Sequence, residues 1–164
     1  MDSRKLSASF EIDLSDATTD LEQTIVYQLH DEILLELGQL TIPTTEEDQL
    51  NKIEEYASSI KFFSCPSEKV QLTAVRKDWY SIQYITEPTA KVQLEAVREN
   101  GCAIKYISDP SEEVQLAAVQ QNAFSIKYII EPSETVQLAA VWVNEKALRC
   151  IENPTIVVKM AAFG

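Results

Sequence analysis

Asp109–Ile130 reads DPSEEVQLAAVQQNAFSIKYII, and the chain writes nearly the same 22 residues again on either side of it. Upstream stand residues 65–86 (CPSEKVQLTAVRKDWYSIQYIT) and 87–108 (EPTAKVQLEAVRENGCAIKYIS). Downstream stand residues 131–152 (EPSETVQLAAVWVNEKALRCIE) and a shortened copy over 153–164 (NPTIVVKMAAFG). Pro66, Pro88, Pro110, Pro132 and Pro154 recur every 22 residues without an insertion. A fixed period of roughly 20 to 50 residues marks a stacked-repeat architecture. The expected fold is therefore mainly α: a right-handed α-solenoid of 22-residue two-helix repeats, with an N-terminal β-strand and a capping helix.

Each copy reads as two short helices. The proline falls at a helix start, where a missing N–H costs least, and Ser111 can cap the first turn. Val114, Ala117, Ala118 and Val119 then recur at helical spacing. Asn122, matched by Asn100, Asn144 and Asp78, suits a tight turn that tolerates left-handed backbone. Ser125–Ile130 is one or two turns long and fits either an α- or a 3₁₀-helix. Helices shorter than about 12–15 residues are marginal alone, so stability must come from stacking. Stacking aligns equivalent residues into columns: Val70, Val92, Val114, Val136 and Val158; Leu72, Leu94, Leu116, Leu138 and Met160; Ala74, Ala96, Ala118, Ala140 and Ala162. Two more columns are Ile82, Ile104, Ile126 with Leu148, and Ile85, Ile107, Ile129 with Ile151.

Residues 1–43 are expected to form an N-terminal unit and residues 44–164 the solenoid. In the first unit Lys5–Leu14 (KLSASFEIDL) alternates apolar and polar residues, the period of a half-buried strand. That strand either lies on its own chain or pairs with another. Leu21–Leu37 has apolar residues four apart and ends at Gly38, which suits a cap for the first repeat. Residues 44–64 are a degenerate first copy, with Pro43 one residue out of phase.

With 164 residues, 45% of them apolar, the chain can bury a core. No apolar run reaches membrane-span length and no signal peptide opens the sequence, so a soluble, cytoplasmic protein is expected. Three cysteines, Cys65, Cys102 and Cys150, follow no metal-ligand spacing and read as reduced, packed thiols. Net charge is −12, and 10 of those negative charges belong to residues 1–64. An acidic chain is a poor direct ligand for nucleic acid and a better one for a basic protein.

Nothing in the sequence offers catalysis, a cofactor site or a metal site. Glycine-rich phosphate loops, Cys–His pairings and the common hydrolase motifs are missing, and His30 stands alone. Gln71, Gln93, Gln115 and Gln137 hold one position in four repeats and suggest a hydrogen-bonded ladder. Lys61, Lys105, Lys127 and Arg149 form a basic column. Lys105 is expected to pair with Asp109 and Lys127 with Glu131. Beside them Phe62, Tyr84, Tyr106 and Tyr128, with Trp79, Tyr80 and Phe124, read as packing between repeats more than as a base-stacking platform. Two surfaces are candidates for partner binding. One is the acidic set Glu46, Glu47, Asp48, Glu54 and Glu55 on the degenerate helix. The other is Trp142 and Val143, which replace the charged or polar pairs of earlier copies, beside a final helix apolar on most sides.

The wording P-S-x-x-V-Q-L-A-A-V-x-x-N-x-x-S-I-K-Y-I resembles short HEAT and armadillo helical repeats. It is most similar to leucine-rich variant repeats, in which α- and 3₁₀-helices alternate. It is also similar to repeats of bacteriophage proteins. A small acidic phage protein resembles counter-defence (anti-CRISPR) inhibitors, some of which imitate DNA. The resemblance implies a non-enzymatic protein-binding solenoid, an inhibitor of a basic, nucleic-acid-handling protein. The alternative is an assembly module that homodimerises through the N-terminal strand or the apolar C-terminal end.

Overall fold

The chain divides between Ile42 and Pro43 into two units. The computed structural model describes residues 43–163. The expected strand Lys5–Leu14, the capping helix Leu21–Leu37 and His30 lie outside the described residues.

Residues 43–163 are mainly helical, with α- and 3₁₀-helices in strict alternation. The α-helices are α1 (Glu46–Glu55), α2 (Glu68–Lys77), α3 (Ala90–Glu99), α4 (Glu112–Gln121), α5 (Glu134–Val143) and α6 (Ile156–Phe163). Between them lie the 3₁₀-helices η1 (Ala57–Phe62), η2 (Trp79–Tyr84), η3 (Gly101–Tyr106), η4 (Ala123–Tyr128) and η5 (Glu145–Cys150). Each α-helix packs on the next α-helix and each 3₁₀-helix on the next 3₁₀-helix, so every seam joins neighbouring repeats.

One repeat shows why these residues fold this way. Pro110 lies one residue before the cap rather than inside the helix, and the Ser111 hydroxyl accepts the Val114 N–H. The Asn122 N–H closes α4 on the Ala118 carbonyl at 2.9 Å. The same residue opens η4, because its side-chain oxygen accepts the Phe124 N–H at 3.1 Å. Asn122 is thus a cap in extended backbone (φ −148°, ψ 106°), and the left-handed turn expected there does not form. Asp78, Asn100 and Asn144 do the same. A side chain that bonds the backbone two residues on ends one helix type and starts another. Among the described non-glycine residues only Glu131 has positive φ, 49°.

The core follows the expected columns. Val70, Val92, Val114, Val136 and Val158 are fully buried in one continuous cluster with Ala74, Ala96, Ala118 and Ala140. Ile82, Ile104 and Ile126 seal the 3₁₀ side. Ile53, Val75, Val97, Val119 and Val141 form a further buried column. The leucine column is shallower: Leu72 is buried, Leu94, Leu116 and Leu138 are half-buried, and Met160 is exposed. Fully burying one such side chain is worth about 1.5–3 kcal/mol, so a spine repeated at every unit supplies what ten-residue helices lack alone.

The repeated glutamines make no ladder between repeats. Each donates from Nε2 to the carbonyl of its own repeat's proline: Gln71 to Pro66, Gln93 to Pro88, Gln115 to Pro110 and Gln137 to Pro132, at 2.9–3.0 Å. Gln49 reaches the Pro43 carbonyl at 3.2 Å despite the one-residue phase shift. The glutamine ties the loop carbonyl ahead of the cap to the helix that follows, satisfying a group the proline ring leaves outside the helix.

Gly101 marks a close approach. Its N–H donates to Gln121 Oε1 at 2.7 Å, across the seam to α4. A β-carbon there would come within 2.4 Å of the Ala118 carbonyl oxygen and 2.7 Å of Ser125 Oγ. Glycine is the residue that lets α4 sit this near η3.

Candidate protein-binding surfaces

The acidic surface is built on α1. Thr45 caps the helix, its hydroxyl taking the Asp48 N–H at 3.1 Å while donating to the Asp48 carboxylate at 2.6 Å. Glu46, Glu47 and Asp48 therefore crowd the first turn, where the helix dipole favours negative charge. All five predicted acids are exposed. They do not form one uninterrupted anionic face. Glu46 turns to the next repeat, accepting the Ser67 hydroxyl and lying 3.6 Å from Lys69 Nζ. Glu54 lies 3.8 Å from Lys77 Nζ, and Glu55 lies 3.2 Å from Lys52 Nζ. At helical spacing, Glu47 and Glu54 share one line of the surface and Asp48 and Glu55 another. Part of the charge expected for a partner is thus spent on holding α2 to α1.

The same hook recurs along the array. The Thr89 hydroxyl and Lys91 Nζ meet Glu68, and Ser133 meets Glu112. These two hydrogen bonds hold the Glu68 carboxyl below the usual carboxylate range, Thr89 contributing most. Exposed pairs of this kind add little each, about 0–1 kcal/mol, and their value lies in keeping successive caps in register.

On the 3₁₀ side the basic column does not pair as expected. Lys105 Nζ lies over the Tyr106 ring at 4.5 Å and Lys127 Nζ over the Tyr128 ring at 4.7 Å, rather than on Asp109 and Glu131. Lys61 takes the same place over Phe62 at 4.8 Å. The helix-type spacing behind the ion-pair expectation fails because η3 ends at Tyr106 and η4 at Tyr128. Tyr80 stands edge-on to Tyr106 of the next repeat, with centroids 5.3 Å apart. The neighbouring Tyr106 hydroxyl lowers the Tyr80 pKa, while burial raises that of Tyr106. The Tyr106 hydroxyl also raises the pKa of Lys105. The aromatics pack the repeats together, as their column predicted, and the lysines extend over the rings.

Cys65 is exposed beside Pro66, contrary to the packed thiol expected, whereas Cys102 and Cys150 are half-buried; all three are free. Asn122 Nδ2 lies 3.5 Å from Cys102 Sγ. Among the described residues no cluster of His, Cys, Asp or Glu is placed to hold a metal, and no helix is long and apolar enough to cross a membrane.

The second predicted surface is larger than Trp142 and Val143 alone. Trp142 is 72% exposed and Val143 50%. They share a groove with Ala161, Ala162 and Phe163 at the ends of α5 and α6. Along α6, Ile156 (75% exposed), Met160 (69%) and Phe163 (84%) fall at i, i+4 and i+7, one stripe, with Val157 (53%) beside it. The opposite face of α6 buries Val158 and Ala162. Ile156, Val157, Met160 and Phe163 were not singled out from the sequence, although the apolar character of the final helix signalled them. Met160 and Phe163 stand in the columns of Leu138, which is half-buried, and Val141, which is buried. The acidic helix and this apolar end sit at opposite ends of the described array and are separate surfaces. Compared with family models, curated proteins and solved structures, the chain matches none.

Proposed function

We propose that the repeat array works by binding another protein, without chemistry of its own, and that its principal contact surface is the apolar end built by α5 and α6. The observation that carries this reading is the run of exposed Trp142, Val143, Ile156, Val157, Met160 and Phe163. Contiguous apolar surface of this extent marks an interaction site. Aromatic residues and methionine are also the types enriched where proteins meet. The alternation of α- and 3₁₀-helices supports a relation to leucine-rich variant repeats. With it go the finer expectations of a right-handed solenoid, an N-terminal strand over Lys5–Leu14 and a capping helix over Leu21–Leu37.

A second reading keeps the acidic end as the contact: a phage-type inhibitor seated in the basic groove of a nucleic-acid-handling protein. Its support is the exposure of Glu47, Asp48 and Glu55, none of which meets the Lys69 and Lys77 side chains that Glu46 and Glu54 contact. Capture from a host-cell lysate with three proteins separates the two. A protein retained by wild type and by Glu47→Lys/Glu55→Lys, but lost with Met160→Glu, supports the apolar end. One lost only with the charge reversal, and only at low salt, moves the assignment to α1. A captured protein indifferent to both variants overturns both readings.

A further inference from the structure

The apolar end lacks the forward hooks that join most inner repeats. Inner α-helices end in polar hooks to their neighbours: Arg76 reaches forward to Glu95, whereas Lys77 reaches back to Glu54 and Gln121 back to Gly101. At the equivalent places of α5 stand Trp142 and Val143. Inner helices α1, α2 and α4 begin with Glu46, Glu68 and Glu112, which accept the cap hydroxyl of the following repeat. At the start of α6 stands Ile156. Trp142 thus stands where Arg76 makes a forward hook and Ile156 where Glu46, Glu68 and Glu112 make theirs, while Met160 and Phe163 still fill the stacking columns. Lys159 is the only charged residue of α6. Glu145 and Lys146 lie at the rim of the groove, one of each sign, so the face offers a charged partner no single-signed complement, whereas its stripe along α6 matches another uncharged apolar stripe.

We infer that the occupant is a second copy of this chain, joined end to end through α5 and α6 about a two-fold axis. This inference rests on the apolar end being the contact surface and names its partner. A two-fold interface uses the same patch twice, and a stripe at i, i+4 and i+7 meets its own reverse with Met160 at the centre and Ile156 facing Phe163. Aromatic side chains offer about 150–250 Å² each and the aliphatic ones somewhat less. At the fractional exposures observed, the six residues present roughly 800 Å² per copy, the area that a stable interface takes from each partner.

Sedimentation equilibrium of the full chain, from low micromolar to near-millimolar concentration, tests this. Wild type reaches twice the 18.5 kDa of one chain. The association persists in high salt, because screening acts on charge and not on apolar contact. Phe163→Ala raises the dissociation constant about 30-fold or more, the effect of truncating a buried aromatic contact residue. Met160→Glu abolishes the dimer, while Met160→Leu retains it. All three side chains involved are exposed in one chain, so each variant melts with wild type at concentrations where both are single chains; Trp142→Ala is the independent second site. In a Trp79→Phe background, Trp142 emission shifts to the blue and loses acrylamide quenching as the dimer forms. A single-chain mass at every concentration overturns the second copy; loss of lysate capture in Met160→Glu then still upholds the apolar end as a contact. A dimer that survives Met160→Glu and Trp142→Ala unchanged also overturns the inference, because its interface lies elsewhere.

Discussion

Replacing Gly101 by alanine adds one carbon at the tightest point of the α4 seam. That carbon would lie 2.4 Å from the Ala118 carbonyl oxygen, 2.7 Å from Ser125 Oγ and 3.0 Å from Gln121 Oε1. The glutamine can swing aside, at the cost of its bond to the Gly101 N–H. The Ala118 carbonyl is helix backbone and yields only if α4 moves off η3. Ser125 is fully buried and has no room to retreat. Overpacking of this kind costs about 1–3 kcal/mol, and the reduced freedom of the unfolded chain returns about 0.4–1 kcal/mol. The expected net loss is about 1–2 kcal/mol, a fall in melting temperature of about 2–8 °C for a chain of this size. Thermal and urea unfolding followed by far-ultraviolet circular dichroism measure it. The reciprocal change is informative: the next repeat has Ala123, only 3% exposed, at the same place. Ala123→Gly should also destabilise, by about 1–2 kcal/mol, through lost methyl burial and added backbone freedom. A Gly101→Ala variant as stable as wild type, or more so, would refute the argument that the neighbouring helix dictates glycine here.

Three further outcomes are expected. Gln115→Leu removes the bond to the Pro110 carbonyl and should cost about 1 kcal/mol in urea unfolding. Val114→Ala opens a cavity at the centre of the spine and should cost about 2–3 kcal/mol. Val158→Ala, on the last helix, should cost less because an end can collapse around the void. For pH, Glu68 has a folded pKa below its ordinary value of 4.5. A depressed carboxyl pKa contributes stability that is present above 4.5 and lost as pH falls through the folded value. Glu68→Gln should therefore narrow the gap in melting temperature between neutral and acid pH; an unchanged acid profile would contradict it.

Much of this architecture is legible in the sequence because a period of 22 is a physical statement. Val92, Val114 and Val136 cannot share a register without sharing an environment, and they are all buried. What the repeat could not reveal is how far the regular α-helix extends. SIKYI satisfies an α- or a 3₁₀-helix equally, and only the cap by Asn122 on the Phe124 N–H selects the tighter one. Once the segment is 3₁₀, the four-residue spacing that paired Lys105 with Asp109 no longer brings those side chains together, and lysine settles on the adjacent tyrosine instead. The glutamine column was misread for a related reason. A shared column locates Gln71, Gln93, Gln115 and Gln137, yet it does not say whether an amide reaches along the array or back to its own loop. The five-residue step from proline to glutamine decides for the loop. At the candidate surfaces, Trp142 and Val143 were readable as departures from a repeated polar pair. Ile156, Met160 and Phe163 look like ordinary core letters, and only their placement in the structure shows them exposed. The partial neutralisation of Glu46 and Glu54 likewise needed the placement of Lys69 and Lys77 across the seam.

Because the helices among the described residues pack on near neighbours in sequence, residues 43–163 hold together seam by seam. Excising residues 87–108 as a block, or inserting a duplicate of residues 109–130, leaves every remaining junction of a kind the chain already contains. Length then becomes an adjustable property: the distance between the two ends can be retuned in steps of one unit while both terminal surfaces keep their chemistry.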